Sequence, residues 1–172
     1  VPDLERDLGR PPRVLELGSG VGLLGVGLAM TTDCDVTLTD PDIETNFSDG
    51  TSMSTLEWLQ RNVDLNVSSK RARARRLVWG NVDDARALLR DGGFDLLVGS
   101  DLLYDTANYG PLVDSIVALA PARGAILGYV TRHGAEGDLA DLAVARGFVA
   151  ESAPLVGEGL TKAATATTLT RR

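Results

Sequence analysis

Short apolar runs alternate along the chain with longer stretches of helical periodicity. Residues 13–17, Arg-Val-Leu-Glu-Leu, follow the breaker Pro11-Pro12 and predict a buried first strand. A glycine-rich turn comes next, and the apolar residues 23–30 predict the start of a helix. Residues 36–39 predict a second strand that ends at Asp40-Pro41. The stretch 42–54 is polar, contains glycine and has no periodicity, so it reads as a loop. Leu56, Leu59, Val63 and Val67 then recur at helical spacing, which predicts an amphipathic helix over 54–66. Strands are predicted over 74–78, 94–98 and 125–130, the second of these apolar on both faces and so expected to be central. Helices are predicted over 83–90, closed by Gly92-Gly93, over 109–119, and over 135–145, capped by Gly147. Residues 148–152 and 164–170 complete the set as an antiparallel hairpin.

Strands alternating with helices are the pattern of βαβ units. The expected fold is therefore α/β: a Rossmann-like sheet of seven strands, mostly parallel, with a C-terminal antiparallel hairpin and helices on both faces. A chain of 172 residues suits one domain, 1–172, with a substantial core. There is no internal repeat and no low-complexity segment. The first strand begins about a dozen residues in and residue 1 is Val, so we expect either a trimmed chain or a natural one without an N-terminal helix.

Composition narrows the function classes. The hydrophobic fraction of 44% and charged fraction of 24% are those of an ordinary globular protein. No apolar run approaches the roughly 20 residues of a membrane span, and the N-terminus carries no signal-peptide pattern. A single cysteine, Cys34, excludes an internal disulfide framework and makes a reducing, cytoplasmic compartment the expectation. With only Cys34 and His133, an all-protein His/Cys metal site is not expected. The net charge of -7 argues against general affinity for nucleic-acid phosphates. Against that background Lys70, Arg71, Arg73, Arg75 and Arg76 lie within seven residues. They read either as a solvated turn and a charge-protected edge strand or as a docking patch for an acidic protein or RNA.

Between the first strand and the first long helix lies Glu16-Leu17-Gly18-Ser19-Gly20-Val21-Gly22. A strand, a glycine turn and a helix N-terminus together form a nucleoside-binding arrangement, because glycine lets the backbone turn sharply and approach the ligand. A dinucleotide fingerprint would place glycines at 18, 20 and 23, but position 23 is Leu and the third glycine is Gly22. A carboxylate at Glu16 would repel a pyrophosphate. It suits a cofactor carrying a cationic amino group and a sulfonium, which points to S-adenosyl-L-methionine. Asp40 ends the second strand and is placed to accept ribose hydroxyls, although Asp-Pro by itself is also a turn starter.

The order of motifs extends this reading. Val14-Leu15-Glu16-Leu17-Gly18-Ser19-Gly20-Val21-Gly22 is followed by Val36-Thr37-Leu38-Thr39-Asp40, by Leu56, Leu59, Asn62 and Asn66, by Leu77-Val78-Trp79-Gly80, and by a run from Phe94 through Gly99-Ser100-Asp101-Leu102-Leu103-Tyr104. From about residue 13 to 109 the chain resembles the seven-β-strand, class I protein-lysine methyltransferases, of the methyltransferase-like 21 and lysine methyltransferase family 16 type. The resemblance implies an S-adenosylmethionine-dependent N-methyltransferase acting on lysine in a non-histone protein such as a chaperone or translation factor, as a monomer. It places Gly18, Ser19 and Gly20 at the methionine end of the cofactor, Asp40 on the ribose, Trp79 beside the adenine and Ser100 against the cofactor. Asp101 and Tyr104 take the places of the family's Asp-x-x-Tyr motif. The family also carries a Trp-containing segment ahead of the first strand, and residues 1–12 do not match it.

Methyl transfer from a sulfonium is an in-line displacement in which the protein mostly positions the partners. Asp101 is therefore expected to bind and orient the incoming ammonium, and Tyr104 to line the channel by hydrogen bonding or cation–π contact. Bland readings stand beside these: Trp79 as a core side chain at a strand end, and Asp101 as a helix N-cap. So do rival functions, namely methylation of a small-molecule amine or of RNA, or a non-catalytic cofactor-binding relative. The absence of prolines from Ser100-Asp101-Leu102-Leu103-Tyr104 disfavours chemistry on a nucleobase amine.

Overall fold

The computed structural model describes residues 2–46, 48–68, 70–131, 134, 136–155 and 164–171, and His133 and Ala135 lie outside these. The chain divides into two compact units, Val1–Val78 and Trp79–Arg172.

The first unit opens with a helix that the sequence reading did not anticipate, α1 (Pro2–Leu8). Its local signals are a proline in the first turn and Gly9 in the left-handed region, φ 62°, with the Gly9 N–H donating to Glu5 O. Strand β1 (Arg13–Leu17) follows with its last four residues buried. Helix α2 (Leu23–Thr31) and strand β2 (Asp35–Asp40) come next. The expected loop over 42–54 instead contains a two-stranded antiparallel hairpin, β3 (Glu44–Asn46) and β4 (Ser52–Ser54). Asp49-Gly50 is the turn signal that marks it: the Thr51 N–H donates to Asp49 Oδ1, and Gly50 has φ 84°. Polar strands of three residues leave no hydrophobic alternation to read.

Helix α3 (Thr55–Asn66) begins at a capping box, in which Ser54 Oγ accepts from the Glu57 N–H while Glu57 accepts from the Ser54 N–H. It buries Leu59 and Val63 from the predicted stripe. Strand β5 (Ala72–Arg76) starts two residues earlier than expected. Leu77 and Val78 supplied the apolar signal, but the parallel ladder runs from Val36↔Ala72 to Asp40↔Arg76 and ends there. Apart from the β3–β4 hairpin, the strands of this unit are ordered β5-β2-β1, all parallel, so Arg73, Arg75 and Arg76 of the basic run fall on an edge strand. Within that run the Arg71 guanidinium pairs with Asp33, and Arg75 donates to the Ala74 carbonyl.

The second unit holds helix α4 (Val82–Leu89), strand β6 (Leu96–Ser100), a short 3-10 turn Thr106–Asn108, helix α5 (Tyr109–Leu119), strand β7 (Ala125–Val130), helix α6 (Gly137–Ala145) and strands β8 (Phe148–Leu155) and β9 (Ala164–Arg171). Their order is β6-β7-β9-β8, with β6 and β7 parallel and β9 antiparallel to both its neighbours. The C-terminal antiparallel hairpin is thus as expected, longer by a few residues in β8. Leu112, Ile116, Leu119, Leu127, Phe148 and Leu169 are sealed from solvent and form the core of this unit. Among the described residues no helix is long and apolar enough to cross a membrane.

Candidate active site

The glycine loop between β1 and α2 owes its shape to three alternate positions. Gly18, Gly20 and Gly22 all lie in the left-handed region, with φ of 57°, 53° and 90°. At Gly22 a Cβ would also sit 2.7 Å from Leu59 Cδ1, so that any larger residue must displace the Leu59 side chain as well as adopt the left-handed backbone. That close approach lets α3 pack under the loop, and Asn62 on α3 donates to the Val21 carbonyl at 2.8 Å.

The loop is tied to the end of β2 by a compact set of hydrogen bonds. Ser19 N–H donates to Thr39 O at 2.8 Å, and Thr39 N–H donates back to Ser19 Oγ at 3.0 Å. Thr39 Oγ1 donates to the Glu16 carbonyl at 2.7 Å, and Gly20 N–H donates to Asp40 Oδ2 at 2.9 Å. Ser19 and Thr39 are buried, and Asp40 is half-buried at the mouth of the strand. The structure therefore brings Gly20 and Asp40 into direct contact, while the Ser19 hydroxyl faces Thr39 and the inside of the unit.

Glu16 lies beneath the loop at 3% exposure, with Oε2 accepting from the Gly25 N–H at 3.1 Å. Burial lifts its carboxyl to about 7; the Ser19 hydroxyl and the Gly25 N–H oppose the rise, and the charge of Asp40 adds to it. Burial also raises the Asp40 carboxyl above its ordinary value, against the hydrogen bonds from Gly20 and Thr55. The reading of the glycine motif missed Gly25, where a Cβ would lie 2.5 Å from Glu16 Oε2. It also missed Thr39; its one signal was its place immediately before Asp40 at the end of the strand.

In the second unit, Ser100 ends β6 and is exposed, and the chain then turns sharply. Asp101 has φ 60°, a left-handed conformation that costs a non-glycine residue energy and that Asp tolerates better than most. Its N–H donates to Gly128 O at 2.7 Å. Leu102 and Leu103 anchor the turn in the core, and Tyr109 Oη donates to the Leu103 carbonyl at 3.3 Å. Gly99 makes room for this, because a Cβ there would lie 2.6 Å from Leu102 Cδ1. Tyr104 is 55% exposed. The N-cap of the turn that follows is Asp105, whose Oδ1 accepts from the Ala107 N–H, so Asp101 is not the cap of that turn. Trp79 is half-buried, and its Nε1 is the one buried side-chain nitrogen or oxygen without a hydrogen-bond partner among the described residues. A buried indole N–H in that state fits a ligand offering an acceptor.

The family profile described as lysine methyltransferase matches residues 3–142. The zebrafish (Danio rerio) protein named Protein N-lysine methyltransferase METTL21A is 32% identical over 119 residues, 67% of this chain and 47% of its own length. The mouse (Mus musculus) protein named EEF1A lysine methyltransferase 3 is 34% identical over 133 residues, 74% of this chain and 50% of its own. The chain thus spans about half the length of the curated relatives it matches. Among solved structures, a TehB-like SAM-dependent methyltransferase from Corynebacterium glutamicum superposes with a TM-score of 0.64 at 19% identity, covering 97% of this chain and 85% of that one. The fold is accordingly the seven-stranded methyltransferase fold, with three parallel sheet strands in one unit and four strands in the other, besides the β3–β4 hairpin, and six α-helices among the described residues. By the match over residues 3–142 the chain belongs to the lysine methyltransferase family.

Proposed function

We propose that this protein binds S-adenosyl-L-methionine and transfers its methyl group to the side-chain amine of a lysine in a non-histone protein. The observation that carries the reading is the coupling of the glycine loop to the β2 carboxylate through Gly20 N–H and Asp40 Oδ2. Asp40 accepts the ribose hydroxyls. Gly18, Ser19, Gly20 and Gly22 shape the backbone that receives the methionine end, with the buried Glu16 carboxyl supporting it from beneath. Trp79 borders the adenine, whose ring nitrogens are acceptors for the indole N–H, and Ser100 meets the cofactor at the end of β6. When bound, the cofactor supplies an electrophilic sulfonium methyl.

A lysine amine attacks only when neutral, and from a reference pKa near 10.4 deprotonation at pH 7 costs about 4.6 kcal/mol. Asp101 binds and orients the ammonium, and Tyr104 lines the approach by hydrogen bonding or ring contact. A carboxylate by itself stabilises the protonated amine, so positioning rather than simple base catalysis is the role assigned to Asp101. Membership of the lysine methyltransferase family supports a protein substrate. A chaperone or translation factor is the substrate class we favour, with the cytoplasm as compartment and a monomer as the working state. Cys34, buried and unpaired, is consistent with a reducing compartment.

The test is incubation with methyl-labelled cofactor and a cell lysate. Label is expected in protein at lysine, and Asp101→Ala is expected to end labelling while cofactor binding persists. Label confined to RNA or small molecules would overturn the substrate assignment, and full transfer by Asp101→Ala would overturn the role of Asp101.

A further inference from the structure

Thr39 belongs to none of the roles assigned above, yet it makes three polar contacts with the glycine loop. Its N–H reaches Ser19 Oγ at 3.0 Å, its carbonyl accepts from Ser19 N–H at 2.8 Å, and its hydroxyl donates to the Glu16 carbonyl at 2.7 Å. It is completely buried and stands immediately before Asp40. Ser19 and Gly20 are adjacent in the same way on the other side, so the Thr39–Ser19 pair and the Asp40–Gly20 pair are consecutive rungs. The first rung sets the spacing of the second.

We propose that Thr39 is a positioning residue for cofactor binding. Its side-chain hydroxyl holds the carbonyl of Glu16, and with it the start of the loop, at the separation from β2 that keeps Gly20 N–H and the Asp40 carboxylate together. The hydroxyl is needed because the Glu16 carbonyl is buried, and an apolar side chain at 39 would remove one of its donors. A backbone ladder alone would hold Thr39 to Ser19, but it would leave Glu16 O, at the root of the loop, less firmly held. This inference rests on the reading of the loop and Asp40 as the cofactor site.

The experiment measures S-adenosylhomocysteine affinity by calorimetry on the full chain, with thermal unfolding recorded in parallel. Thr39→Val keeps the shape and removes the hydroxyl, and it is expected to weaken binding about tenfold, in line with the loss of one buried hydrogen bond. Thr39→Ser keeps the hydroxyl and is expected to bind within about twofold of the wild type. Thr167→Val removes another buried hydroxyl, one that meets Tyr129 and Ser152, and is expected to lower the melting temperature without moving affinity. If Thr39→Val does not fold, Thr39→Ala takes its place with the same expectation. Wild-type affinity in the variant lacking the hydroxyl, or equal losses in the Val and Ser variants, would overturn the role of Thr39 and leave the cofactor reading intact. Absence of binding by the wild-type chain would overturn both.

Discussion

The Gly20 backbone N–H donates to Asp40 Oδ2 at 2.9 Å, joining the middle of the glycine loop to the end of β2. Asp40 thereby serves the loop, and on the proposed function it also receives the ribose, so the two duties can be tested apart. Asp40→Ala removes both and is expected to weaken S-adenosylhomocysteine binding at least about tenfold, a loss of roughly 1.4 kcal/mol or more. Asp40→Asn retains an acceptor for Gly20 but not the charge, and is expected to fall between the two. Calorimetry orders the three proteins, and affinity in Asp40→Ala equal to the wild type would remove Asp40 from the site.

Glu16 makes stability depend on pH in a direction opposite to that of a salt-bridged carboxylate. Its folded value of about 7 exceeds the ordinary 4.5, so between those values the folded state holds the extra proton. Stability from this group is therefore fully present below about pH 4.5 and is lost as pH rises toward 7, by roughly 3 kcal/mol in all. Asp40 is shifted in the same sense and adds to the slope on the acid side. Urea unfolding at a series of pH values is expected to show the slope, and Glu16→Gln is expected to flatten it between pH 5 and 7. Parallel curves for the two proteins would show that the carboxyl ionises in the folded chain as it does in the unfolded one.

Two glycines close in sequence are expected to respond oppositely to alanine. At Gly22, with φ 90° and Leu59 Cδ1 2.7 Å from the added Cβ, alanine is expected to cost roughly 2–4 kcal/mol. Gly27, inside α2, has nothing within 4 Å of its added Cβ, and alanine there is expected to stabilise by about 0.5–1 kcal/mol. Urea midpoints decide the matter, and a neutral Gly22→Ala would mean that neither the left-handed backbone nor Leu59 and Leu38 resists the added methyl group.

Asp101 offers a separation of stability from function. Because its φ of 60° is costly for a side chain, Asp101→Gly is expected to be more stable than Asp101→Ala by about 1 kcal/mol. Both are expected to lose methyl transfer and keep cofactor affinity. Transfer by the glycine variant at the wild-type rate would show that the turn matters and the carboxylate does not.

Much of this was legible in the chain itself. The ends of β1, α5 and β7 coincide with the predicted ones, and the glycine loop and Asp40, both singled out in the sequence, meet at the Gly20 N–H. The hairpin β3–β4 escaped because its strands are short and polar, and β5 was misplaced because Leu77 looked like strand while the hydrogen-bond ladder ends at Arg76. Helix α1 was overlooked although Pro2 and Gly9 bracket it.

What the sequence determined by itself is local. Backbone torsion at a glycine, alternation along a strand and the three- or four-residue period of a helix are set by neighbours a few positions away. The tertiary structure decided the rest: that Glu16 is buried and pushed toward neutrality, that Gly25 has room only for a hydrogen, and that Thr39 ties the loop to β2. Each of these depends on atoms brought together from 9 to 23 positions apart in the chain. Desolvation and hydrogen-bond pairing are properties of the packed interior, which no window along the sequence contains.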